Sequence, residues 1–173
     1  MPVDEPVRLV PADPGWPHRF ELERELLEGA IGRWVEGGIH HVGSTAVAGL
    51  EAKPIIDVLV GVRDLETARA CFEPLAELDY LYAPYLPKEM HWFCKPEPAH
   101  RTHHLHLVPI NSPRYRDELA FRDRLRADPQ LAADYALLKR DLATRHPNDR
   151  EAYTVGKTIF IAAALGETAT SVE

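Results

Sequence analysis

Apolar and polar positions along this chain follow two rhythms. Phe20, Leu27, Ile31 and Trp34 recur at helical spacing with Glu21, Arg24, Glu25 and Glu28 between them, which predicts an amphipathic helix over residues 16–35. Asp13-Pro14 ahead of it reads as an N-cap acid with proline at the first helical position, and Gly37-Gly38 as its end. Residues 7–10 read as a short strand or an extended arm. Short apolar runs at 39–42 and 54–62 predict strands, joined by a small-residue stretch that opens at Gly43. Asp64 should cap a helix over 65–78, kinked or split by Pro74. Strands are then expected at 79–83, 89–95 and 101–108, with Met90, Trp92 and Cys94 on one face of the second and Lys95-Pro96-Glu97-Pro98 as a turn. Such short connections imply antiparallel pairing. The last third reads as three helices, started by Ser112-Pro113, Asp128-Pro129 and Pro147-Asn148 and running to about residues 126, 145 and 165. Leu119, Leu125, Leu131, Tyr135, Leu138, Leu142, Tyr153, Ile159 and Ile161 supply their apolar faces. Residues 167–173 read as a frayed tail.

The 173 residues show no repeat and no linker, so one α+β domain over 1–173 is expected. The formal net charge of −7 argues against general nucleic-acid binding while leaving room for a nucleotide at a local basic cluster. Cys71 and Cys94 are too few and too far apart for a disulfide framework or a thiolate zinc site. The first residues lack the apolar core of a signal peptide, and no apolar run approaches the ~20 residues that span a bilayer. A cytoplasmic protein with no membrane contact and a small-molecule or nucleotide substrate is expected.

Candidate chemistry starts with Asp57, one acid in an otherwise oily strand. An unpaired buried charge costs several kcal/mol, roughly, so Asp57 reads either as half of a structural ion pair with Lys53 or as a metal-binding acid. Gly43-Ser44-Thr45 reads either as an ordinary turn or as an anion cradle, with backbone N–H groups and two hydroxyls as donors. In Arg101-Thr102-His103-His104-Leu105-His106 the strand period places His104 and His106 on one face. That pair reads as metal ligands, as phosphate donors, or as incidental surface histidines. His40 and His41 stand beside the turn, and His91 is a spare candidate. Tyr153 and Lys157 share a helical face, and small neighbours would let a phosphate reach Lys157. Tyr135 and Lys139 repeat the spacing and read equally well as a solvated amphipathic face.

His41-Val42-Gly43-Ser44-Thr45-Ala46-Val47, Gly49-Leu50 and Lys53-Pro54-Ile55-Ile56-Asp57 together resemble the signature of the GrpB family. The resemblance continues through residues 101–107, 121–126, 135–139 and 153–157. It implies a nucleotidyltransferase-like fold: a mixed, largely antiparallel sheet flanked by helices, with a helical cluster at the C-terminal end. In that fold a Gly-Ser turn holds a triphosphate, and two acids at i and i+2 plus a third acid bind two Mg²⁺ ions for in-line attack on phosphorus. By resemblance Gly43, Ser44 and Asp57 take the first positions. Leu59 stands at i+2, and His104 and His106 stand on the strand where the third acid is expected. His40 replaces an acid and Ala48 a proline. One carboxylate with two imidazoles suits Zn²⁺, Mn²⁺, Fe²⁺ or Ni²⁺ better than Mg²⁺.

Three readings follow. The first is a metal-dependent enzyme moving a nucleotidyl or phosphoryl group to a small acceptor. In it Asp57, Lys53 and His106 act in catalysis, while Gly43, Ser44, Thr45, His41, Arg101, Tyr153 and Lys157 hold phosphate or substrate. The second is a transition-metal enzyme with Asp57, His104 and His106 as ligands. The third is a non-catalytic module for a nucleotide or phosphorylated metabolite.

Overall fold

The computed structural model describes residues 5–166; the expected tail at 167–173 lies outside the described residues. A five-stranded sheet in the order β1-β2-β5-β4-β3 organises the chain. Its strands are β1 (Val35–Val42), β2 (Ile56–Val62), β3 (Leu81–Tyr82), β4 (His91–Glu97) and β5 (His100–Pro109). Three of the four pairings are antiparallel, but the central pair, β2 with β5, is parallel, so the sheet is mixed.

Helix α1 (Trp16–Ile31) and the short α2 (Phe72–Glu77) cover one face. Val58 and Val60 of β2 and Leu105 and Leu107 of β5 point there, packing with Trp16, Phe20, Leu27, Ile31, Leu75 and Phe93 in the main core. Because successive strand residues alternate, Asp57, Leu59, His104 and His106 are directed to the other face. Helix α3 (Pro113–Ala127) lies there, with Tyr115 and Leu119 packed on a smaller core of Val42, Leu59, Met90 and Val108. Helices α4 (Pro129–Arg145), α5 (Arg150–Val155) and α6 (Thr158–Ala164) close the end of the sheet at the Gly43 turn, around Val47, Leu50, Leu125 and Tyr135.

Several boundaries depart from the sequence reading. The first helix stops at Ile31, passes through a single 3₁₀ turn (Gly32–Trp34) and becomes strand at Val35. Gly37-Gly38 therefore lies inside β1, at an irregularity in its pairing with β2. Gly38 has φ +87°, and a Cβ on Gly37 would sit 2.5 Å from Ile110 and the Tyr115 hydroxyl, which donates to the Gly37 carbonyl. Close packing by Ile110 and Tyr115 at Gly37 and a left-handed backbone at Gly38, not helix termination, are what these glycines serve. Asp13 sits ahead of the helix rather than at its cap, accepting from the Gly15 amide and from Arg19. Residues 7–10 are an extended arm, tied to Ala52 at Val10 by a single bridge. The 65–78 segment is split, but at Cys71; Pro74 falls in the first turn of α2, where no intrahelical N–H bond is lost. Strand β4 runs on through Pro96 instead of turning at Lys95. The last helix is broken at Gly156–Lys157, which resets its phase and leaves Ile159 76% exposed.

Candidate functional site

One large cavity, about 910 Å³, opens between the sheet face bearing Asp57, helix α3 and the C-terminal helices. Gly43, Ser44, Thr45, Lys53, Asp57, Arg101, His104, His106, Tyr153 and Lys157 all line it. His41 does not. Its ring is buried behind the turn, stacked on Phe20 with Nε2 2.9 Å from Thr45 Oγ1, so it braces the turn from outside. Burial pushes its pKa down to about 4.

The turn is shaped by Gly43, whose φ is +74° and whose absent Cβ would lie 2.5 Å from Asp57 Oδ2. Only glycine lets the Asp57 carboxylate approach the turn so closely. Asp57 is the Cα partner of His104 across the parallel β2–β5 pair, and Nδ1 of His104 lies 3.0 Å from its Oδ1. Burial holds His104 near pKa 4 although Asp57 pulls the other way, so the imidazole is neutral, with its proton on Nδ1 donated to the carboxylate. Burial opposes ionisation of Asp57, and the bond from His104 with the nearby His106 and Lys53 outweighs it, holding Asp57 below the usual carboxylate range. His104 Nε2 is buried without a hydrogen-bond partner among the described residues.

His106 turns elsewhere. Its Nδ1 is 3.1 Å from Glu118 of α3, which also receives Arg114. Burial would lower the His106 pKa, but the Glu118 charge and hydrogen bond raise it above the ordinary histidine value. Asp57, His104 and His106 thus do not assemble as a three-ligand set: each imidazole has its Nδ1 committed to a different carboxylate. Among the described residues no group of three or more His, Cys, Asp or Glu side chains is arranged to hold a metal ion. The Lys53–Asp57 ion pair is not formed either; the Lys53 ammonium lies over the Tyr153 ring, 5.2 Å from its centre.

Three lysines line the cavity, one at the turn and two over the Tyr153 ring. Lys139, expected as readily on a solvated face, is 1% exposed and donates to Ser44 Oγ at 2.9 Å and to the Glu51 carbonyl. Lys157 approaches the same Tyr153 ring as Lys53, at 4.5 Å. Burial, then the charge of Lys157, lowers Lys53 and Lys139 to about 7; burial lowers Lys157 to about 8, with Asp57 opposing. Beneath them lie Tyr135, hydrogen-bonded to Ser44, and Tyr153, both raised by burial. At the far side of the cavity the Arg101 guanidinium covers Trp92, whose ring contacts His104. The sequence reading left Lys139 and Tyr135 open between a solvated face and a spacing that copies that of Tyr153 and Lys157. It missed Glu118 and Arg114, for which nothing local in the sequence gave a signal.

Residues 6–167 match the GrpB protein family. The chain belongs to that family. It is 43% identical to a UPF0157 protein of Pseudomonas aeruginosa, over 94% of this chain and 68% of that protein. It is 38% identical to glutamate-rich protein GrpB of Alkalihalophilus pseudofirmus, over 93% and 95%. The crystal structure of conserved protein GrpB from Enterococcus faecalis superposes with a TM-score of 0.80 at 31% identity, covering 91% of this chain and 94% of that one. An RNA terminal uridylyl transferase shares the fold alone, at 14% identity and a TM-score of 0.51, over 75% of this chain and 39% of that one. This GrpB chain therefore has a nucleotidyltransferase-like fold. No helix among its described residues is long and apolar enough to cross a membrane.

The magnesium pair of that fold does not suit the residues present in this GrpB chain. Mg²⁺ takes oxygen ligands in octahedral array. Here the i+2 position is Leu59, fully buried among apolar side chains, and the neighbouring strand offers imidazoles. Of these strand positions only Asp57 is a carboxylate, with one oxygen already bonded to His104, and Glu118 of the same cavity is committed to His106 and Arg114.

Proposed function

We propose that this GrpB-family protein binds a nucleotide or similarly phosphorylated small molecule in the lysine-lined cavity and transfers its nucleotidyl or phosphoryl group to a small acceptor. The observation that carries this reading is the gathering of Lys53, Lys139 and Lys157 in one cavity with the Gly43-Ser44 turn, Lys139 bonded to Ser44 and the other two sharing the Tyr153 ring. Three ammonium groups in a sheltered pocket repel one another and have lost much of their hydration, so the site favours a polyanion. Ser44 and the turn amides add neutral donors to phosphate oxygens.

For transfer, His104 is the base beside the cavity: once the acceptor reaches its buried Nε2, that nitrogen takes the proton of the acceptor's O–H while Asp57 steadies the resulting imidazolium. The acceptor oxygen forms its bond to phosphorus as the bond to the leaving phosphate oxygen breaks. The lysines meet the charge that develops on that leaving group.

Turnover is tested by incubating the protein with each nucleoside triphosphate and a pool of small acceptors, with mass spectrometry for phosphorylated or nucleotidylated product. Nucleotide protection against heat unfolding together with a product lost in His104→Gln supports transfer. Protection without product favours the second reading, a binding module without turnover, to which the buried Leu59 at the second acid position already points. No protection by any triphosphate at millimolar concentration sinks both.

A further inference from the structure

Charge and donor chemistry in the cavity point in opposite directions about divalent cations. In a two-metal site a cluster of carboxylates holds the ions, and the ions neutralise the phosphates. Here Asp57 is the one acid on the strand face beside the turn, and His104 occupies one of its oxygens. Leu59 fills the second acid position with apolar packing against Val42, Met90 and Val108.

The cations, by contrast, are already part of the chain. Lys139 reaches Ser44 Oγ from α4. Lys53, entering β2, and Lys157, between α5 and α6, share the Tyr153 ring. Among the described residues none of the three has a carboxylate within ion-pair distance: Glu51 gives Lys139 only its backbone carbonyl, and its carboxylate pairs with Arg140. Gathering one buried and two half-buried ammonium groups with no carboxylate in direct contact is unfavourable unless an anion joins them.

We infer that the cavity binds the di- or triphosphate group of its ligand without a divalent cation, the ammonium groups of Lys53, Lys139 and Lys157 standing where magnesium ions stand in a two-metal site. This rests on the phosphate-ligand reading above and assigns its charge partners. It also gives Asp57 a different role: a negative charge that faces the polyphosphate repels it, and its place is to hold His104.

Calorimetric titration of the full chain with inorganic tripolyphosphate and with ATP, each in EDTA and in Mg²⁺, tests this. Both probes are expected to bind in EDTA, with Mg²⁺ leaving affinity unchanged or weakening it by competing for phosphate oxygens. Lys157→Gln and Lys139→Gln each weaken binding in EDTA at least tenfold, and Asp57→Asn tightens it. Should Lys139→Gln fail to fold, the half-buried Lys157 carries the comparison. Binding that requires Mg²⁺ and disappears in Asp57→Asn overturns the inference and leaves the phosphate reading standing. Absence of binding in both conditions overturns the phosphate reading itself, and the inference with it.

Discussion

Nδ1 of His104 lies 3.0 Å from Oδ1 of Asp57, across the parallel pair that joins β2 to β5. The bond fixes which ring nitrogen carries the proton and leaves Nε2 as the free acceptor. With His41, it also gives the fold an acid-sensitive pair. Both imidazoles are buried, and burial lowers both to about 4. Between pH 6.5 and 4 the unfolded chain therefore binds more protons than the folded one, and stability falls as pH drops through that window. Each group contributes up to about 1.4 kcal/mol per pH unit. Urea unfolding at pH 7, 6 and 5 should show a progressive loss, partly offset by His106, whose raised pKa acts in the opposite sense; stability that rises toward pH 5 would contradict the neutral, buried imidazoles.

The lysines predict a trend of the same sign on the alkaline side. Their folded pKa values, lowered to about 7 and 8, lie below the unfolded value near 10.5, so unliganded stability rises with pH between about 7 and 10. A polyphosphate restores their protons. Its binding at pH 8 should be accompanied by proton uptake, read as a difference in heat between buffers of unlike ionisation enthalpy. Affinity should weaken above pH 8. Equal heats in both buffers would remove the lysines from the ligand.

Gly43→Ala forces a side chain into a left-handed backbone and into the Asp57 carboxylate. A loss of about 1–3 kcal/mol is expected, with the carboxylate swung away from His104. Denaturant unfolding gives the first quantity. The ¹⁵N shifts of the His104 ring give the second, because a ring without its Asp57 partner no longer holds a single tautomer. A change of stability below about 0.5 kcal/mol, inside the range of ordinary surface substitutions, would mean that the turn tolerates a Cβ.

Leu59→Asp restores the spacing of a two-acid strand. The new carboxylate would replace a fully buried leucine among Val42, Met90 and Val108. It should cost roughly 3–5 kcal/mol and lower the midpoint of thermal unfolding sharply. A variant that folds with wild-type stability and gains tight Mg²⁺ binding would show that this layer accepts a metal after all.

Much of this was set by the sequence alone. Side-chain phase depends only on backbone period, so the alternation along residues 101–108 was enough to put His104 and His106 on one face, and Asp57 stood out as the one acid in an apolar strand. The helix starts at Ser112 and Asp128 were equally legible, because capping is local: each side chain accepts the amide two or three residues on. The tertiary structure decided who meets whom. That β2 pairs in parallel with β5, that Glu118 takes His106 away from Asp57, and that Lys139 turns inward to Ser44 are contacts between segments 12 to 95 residues apart. Such contacts are chosen by the packing of whole faces, and Gly37-Gly38 shows the same priority. A pair that locally ends a helix is held inside a strand, because Tyr115 and Ile110 occupy the space where a side chain on Gly37 would be.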